Sequence, residues 1–148
     1  MNDLIVLLGW LGIYAAVALG ALGSAIGVTI AGQAAIGAML ETEGGYGRFV
    51  GVSAIPSSNV IYGIVVMFAL RRAVTPANGG ALFGIGFVCA LALLYIGIWQ
   101  GRALASAIAA SKNKTEIFGL ALAPAAIVEG FSVFSFVFAL VLAGGIPQ

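Results

Sequence analysis

One carboxylate stands inside a long apolar run: Glu129, in the segment 117–145. A charged side chain at bilayer depth costs at least about 2.5–3.5 kcal/mol, so an acid placed there marks an ion or proton site by default. The bland alternative is an acid that stays protonated and quietly hydrogen-bonded. Gln or Ser would fill that role at lower cost. Further polar residues interrupt the other apolar runs, namely Gln100 in one and Ser58, Asn59 and Tyr62 in another. Ile55, Ser58, Asn59 and Tyr62 follow an i, i+3, i+4, i+7 spacing, which is one face of a helix. Carboxylate, amide and hydroxyl oxygens of this kind can enclose a small hard cation or hold a proton. Pro56 and Pro124 lie close by in sequence. Each lacks an N–H, so the carbonyls of Val52 and Leu120 are expected to lose their helical partner. A freed carbonyl beside a polar cluster suits ion binding.

Elements able to position these groups emerge once every charge is placed. The charged residues are Asp3, Glu41, Glu43, Arg48, Arg71, Arg72, Arg102, Lys112, Lys114, Glu116 and Glu129. Most fall at breaks between apolar stretches. The expected spans are 4–40, 49–70, 79–110 and 117–145, each long enough for a bilayer core that needs about 20 apolar residues. The links between them are short and rich in Gly, Pro or polar residues, which implies antiparallel helical hairpins. Strands of a β-barrel are excluded by run length and by the lack of alternation. The expected fold is an all-α membrane protein of four transmembrane helices in two tandem hairpins, 1–72 and 73–148.

Depth then brings the polar residues to one layer. At 1.5 Å rise per residue, Glu129, Gln100 and Asn59 lie roughly 21, 18 and 16 Å from the loop ends at Thr115, Lys112 and Arg48. These three loop ends belong to one side of the membrane.

Composition agrees. The chain is 62% hydrophobic and 7% charged, where soluble domains carry about 25% charged residues. Its net charge of +1 argues neither for nor against a charged partner, and there is no basic patch for nucleic acid. No histidine is present, and the single Cys89 cannot form an internal disulfide. The amino-terminal run reads as a membrane helix rather than a signal peptide. Its only early charge is Asp3, where a signal carries Lys or Arg.

The halves repeat. Gly51 precedes Pro56 as Gly119 precedes Pro124, and Phe-Ala-Leu closes both 68–70 and 138–140. Both hairpins run in the same sense, so the repeat is parallel. The first and third helices carry small residues, including Gly20, Gly23, Ser24, Gly27 and Ala31 in one and Ala103 to Ala110 in the other. Small stripes allow close helix contact in lipid. They fit either pairing within one subunit or crowding around the inside of a ring of identical subunits. The second and fourth helices, with Phe131, Phe134, Phe136 and Phe138, read as the lipid-facing layer.

At these residues the chain resembles the proteolipid rotor subunit of prokaryotic V-type ATPases. The resemblance rests on two fused hairpins, a Gly-rich first helix, the segment 55–63, Gln-Gly-Arg at 100–102 and Val-Glu-Gly at 128–130. It implies a non-catalytic subunit of a membrane ring in an ion-translocating complex. Glu129 would bind one ion, Na+ or alternatively H+, with no other cofactor. The resemblance assigns the Ile55 backbone carbonyl, the Ser58 hydroxyl and the amides of Asn59 and Gln100 as further ligands. Tyr62 would hold the carboxylate. Ser58 and Asn59 stand where sodium-transporting members have Thr and Gln, and the shorter Asn59 bears on which ion is carried. Implied partners are identical subunits, a stator membrane subunit bearing an arginine, the central stalk and the lipid bilayer. The implied location is the cell membrane, with loops 41–48 and 111–116 in the cytoplasm. Charge alone does not decide that orientation, since Arg48, Lys112 and Lys114 oppose Arg71 and Arg72.

A second class of function also fits the composition. A small proton-coupled four-helix multidrug or solute transporter would use Glu129 as its coupling acid. It would need a substrate cavity with aromatic walls, for which Trp10 and Trp99 are available.

Overall fold

A computed structural model describes residues 1–147. All regular structure among them is helical. The first span is one helix, α1 (Asn2–Glu41). It contains no proline and runs about 60 Å at helical rise, well beyond a hydrocarbon core. It ends where Thr42 turns extended and Gly45 takes the left-handed φ of +74°, a conformation that glycine adopts without steric cost. The second span comprises α2 (Tyr46–Ser53), a 3-10 turn (Ile55–Ser57) and α3 (Ser58–Leu70). The interruption falls at Pro56, which has no N–H to donate and starts a new helical turn comfortably.

The link to the second hairpin is fixed by Asn78. Its side chain accepts the Thr75 N–H at 2.8 Å and donates to the Ala73 carbonyl at 3.0 Å. The third span, α4 (Gly79–Asn113), is again unbroken and runs a few residues past the expected limit of 110. The fourth span repeats the form of the second: a 3-10 turn (Thr115–Ile117), α5 (Phe118–Ala121) and α6 (Ala123–Gly144), with the break just before Pro124. Among the described residues, four segments are long and apolar enough to cross a membrane, Asn2–Glu41, Tyr46–Leu70, Gly79–Asn113 and Thr115–Gly144.

The helices form two layers. α1 and α4 make the most extensive pair, while α3 and α6 cover them from one side. The small stripe explains the α1–α4 contact. A methyl group at Gly23 would sit 2.7 Å from the backbone oxygens of Leu93 and Leu94. Gly27 faces the backbones of Gly97 and Gly101 in the same way. Of the two uses open for the stripe at Gly23 and Gly27, pairing within the subunit is the one formed here. Dispersion between closely placed backbones holds such contacts where lipid removes the hydrophobic incentive.

Phe131, Phe134 and Phe138 point outward from α6, as a lipid face requires. Phe136 departs from that expectation. It is partly buried and packs on the Tyr62 ring with centroids 5.2 Å apart. The core at this end contains Ile13, Ala16, Val66, Leu70, Leu82 and Leu93.

The hairpins are tied together at both ends. Lys112 bonds Glu41 at 2.7 Å, so the ends of α1 and α4 lie side by side. At the opposite end, Arg72 donates to the carbonyls of Ala69, Ala143 and Ile146 at 3.1, 3.0 and 2.7 Å. One guanidinium thus serves carbonyls at the closing turns of both α3 and α6, where helical partners run short.

Candidate ion-binding site

Glu129 projects from α6 toward α3 and α4. Its two oxygens accept three hydrogen bonds from two other spans. Tyr62 donates to Oε1 at 2.8 Å. Ser58 donates to Oε2 at 2.9 Å and Gln100 Nε2 donates to the same oxygen at 2.5 Å. Ser58 and Tyr62 are four residues apart on α3, so one helical face delivers both hydroxyls. The carboxylate is therefore met by donors, with hydroxyl oxygens among them that also carry lone pairs.

Asn59 is placed differently from the expectation drawn from the resemblance. It is fully buried and makes no hydrogen bond to Glu129. Its Nδ2 donates to the Pro56 carbonyl at 3.2 Å and to Gln100 Oε1 at 3.4 Å. Its Oδ1 accepts from Ser132 at 2.7 Å. Being one methylene shorter than Gln, and lying on the side of α3 turned toward α4, it stops behind Gln100. Ile55 lines a groove of about 320 Å³ with Gln100, Leu122, Ala125 and Glu129. The Ile55 carbonyl itself accepts the Ser58 N–H in the 3-10 turn.

The freed carbonyl also differs from expectation. The polar layer uses Pro56, not Val52. Pro56 O accepts from the Ser24 hydroxyl of α1 at 2.8 Å, and the same hydroxyl accepts the Val60 N–H at 2.9 Å. A side chain thus stands in the gap where the backbone bond from Val60 to Pro56 would run, one recognised cause of a helix break. α1 can approach this closely because Gly20 faces the Asn59 carbonyl.

Sequence reading passed over three participants: Ser132, Ser24 and the Pro56 carbonyl. Ser132 was detectable, since it follows Glu129 by three positions and shares its helical face. Ser24 looked like one more small residue in a packing stripe. Its polar use depends on where the second span breaks, which spacing alone does not show.

Trp10 and Trp99 lie apart from each other and from Glu129. Trp10 lines a groove with Ile13, Tyr14, Met67, Phe68 and Arg71 at one end of the bundle. Trp99 is exposed and lies under the Arg102 guanidinium, 4.6 Å from its ring centre. Neither lines the groove beside Glu129.

Comparison with known proteins accords with this architecture. The sequence pattern of the ATP synthase C-subunit family matches twice, over residues 11–70 and 83–142. Each match takes in one hairpin. The chain is 33% identical over 123 residues to the A-type ATP synthase subunit K of Methanocaldococcus jannaschii. That alignment covers 80% of this chain and 56% of the relative, so the chain spans about half the length of the curated protein it matches. With two family repeats, four apolar spans and tandem hairpins, this multi-pass membrane protein belongs to the ATP synthase C-subunit family.

Proposed function

We propose that this chain is the ion-carrying rotor subunit of an A/V-type ATP synthase or ATPase, and that it binds one cation, sodium or alternatively a proton, at Glu129. The observation that carries this reading is the convergence of Tyr62, Ser58 and Gln100, from two other spans, on the single acid within the membrane layer. A bare carboxylate cannot face lipid. The site must therefore be loaded while it crosses the lipid face and can empty only where another group compensates the charge. Identical subunits would form the ring. A stator subunit bearing an arginine would supply that compensation, and the central stalk would transmit rotation. The chain itself acts without catalysis, and nucleotide chemistry belongs to other subunits.

Residue type favours sodium, since the side chains near the acid carry several oxygens. A proton needs one carboxylate and one neighbour. Here two amides and two hydroxyls gather around or behind the acid, and buried polar groups cost free energy unless they are used. One acid per four spans also means few ions per turn, which suits pumping against a steep gradient.

Carbodiimide labelling of Glu129 tests the reading, because the reagent reacts with the protonated, unoccupied carboxyl. Millimolar sodium should slow labelling at fixed pH. Raising the pH should lower the sodium required, because proton and sodium compete for one carboxylate. Labelling that follows pH and ignores sodium would make this a proton rotor. The multidrug-transporter reading gains nothing from Trp10 and Trp99, since neither lines the groove at Glu129.

A further inference from the structure

Behind Glu129 lies a buried hydrogen-bond chain whose direction is fixed by the backbone. Asn59, Gln100 and Ser132 are all fully buried. A carbonyl can only accept. The Pro56 carbonyl therefore dictates which end of the Asn59 amide faces it, and Nδ2 lies 3.2 Å away. With that end fixed, Asn59 Oδ1 is left for the Ser132 hydroxyl at 2.7 Å. Asn59 Nδ2 is also left to face Gln100 Oε1 at 3.4 Å. Gln100 must then present its own Nε2 to Glu129, as observed. The whole chain points donors at the acid.

That polarity suits a carboxylate and opposes a metal cation. A cation in the site needs the Gln100 oxygen, which here points away from Glu129. To supply it, the Gln100 amide must turn over and bring its Nε2 against Asn59. Asn59 must turn in response, which places Oδ1 against the Pro56 carbonyl, two acceptors face to face. A proton makes no such demand, since the Ser58 or Tyr62 hydroxyl can rotate to accept from a protonated acid.

We propose that Asn59, tethered to the Pro56 carbonyl and seated by Ser132, is a specificity-determining positioning residue that holds Gln100 as a donor and so weakens sodium binding relative to proton binding. The inference rests on the reading of Glu129 as the ion carrier and concerns how strongly that carrier holds each ion. It gives Asn59 the opposite sign from a direct ligand. Removing a ligand weakens sodium binding, whereas removing a lock strengthens it.

The experiment is equilibrium binding of radioactive sodium to the purified membrane complex at alkaline pH, where competition from protons is small. Wild type is compared with Asn59→Leu, which keeps the branched shape but has no amide, and with Ser132→Ala. The half-saturating sodium concentration should fall about tenfold in Asn59→Leu, roughly the worth of one net hydrogen bond. It should fall by less in Ser132→Ala. An unchanged or raised value in both variants overturns the proposal. If Asn59→Leu does not assemble, Ser132→Ala decides by the same criterion. If wild type binds no sodium, sodium binding gained by either variant supports the lock, and binding by neither overturns it. Failure of the carrier reading would show separately, as sodium binding or carbodiimide labelling that persists in Glu129→Gln.

Discussion

The Ser24 hydroxyl of α1 donates to the Pro56 carbonyl of the second span at 2.8 Å, and in doing so occupies the gap in that span's backbone ladder. The same oxygen accepts the Val60 N–H at 2.9 Å. One small side chain therefore joins two helices and satisfies a donor and an acceptor that the break leaves open. It also leaves the Pro56 carbonyl in place as the anchor for Asn59.

Ser24→Ala removes the bridge without adding bulk. The Val60 N–H is left in the helix interface without a partner, at a cost of about 1–3 kcal/mol. The expected result is a lower thermal midpoint for the detergent-solubilised protein, with the assembly still formed. Ser24→Thr keeps the hydroxyl but adds a methyl group at a tight contact, so it should restore only part of the loss. An unchanged midpoint in Ser24→Ala would mean that water replaces the hydroxyl.

Glu129→Gln keeps the shape of the side chain and loses the charge. The protein should assemble, resist carbodiimide labelling at this position, and transport no ion in reconstituted vesicles. Tyr62→Phe is the graded partner. It removes the donor to Oε1 while keeping the ring that packs on Phe136. A hydrogen bond to a charged group is worth about 1.5–3 kcal/mol, so ion affinity should shift by roughly ten- to a hundredfold. Transport by Glu129→Gln at the normal rate would remove the basis of the ion-carrier reading.

Gly27→Leu should prevent the α1–α4 pair from closing. The added side chain would meet the Gly97 backbone and the Pro56 ring, and the backbone cannot yield as the tip of a flexible side chain does. The expected outcome is loss of folded protein from the membrane fraction. Gly145→Leu is the control, because the nearest atom to an added methyl there is the Leu142 oxygen at 3.6 Å. Stable, full-length Gly27→Leu protein would show that the close contact is not required.

Much of this molecule was legible from residue type and order. Charges at the breaks fixed four spans, because a bilayer tolerates few charged groups in its interior. Glu129 stood out for the same reason. The i, i+3, i+4, i+7 spacing placed Ser58 and Tyr62 on one helical face, and helical rise brought Gln100 to the depth of the acid. These inferences depend only on composition and local geometry, which a sequence carries directly.

Tertiary structure decided the rest. The glycines at 23 and 27 could have served contacts within or between subunits, and only the packed α1–α4 pair shows which backbones they meet. Asn59 shares a helical face with Ser58, yet bonds Gln100, Pro56 and Ser132 instead of Glu129. Ser24 reads as a small packing residue until the break at Pro56 gives its hydroxyl two partners. The physical reason is common to all three. A hydrogen bond between helices depends on their relative rotation and separation to within a fraction of an ångström. Those quantities are set by the sum of many packing contacts, and no local pattern in the sequence encodes them.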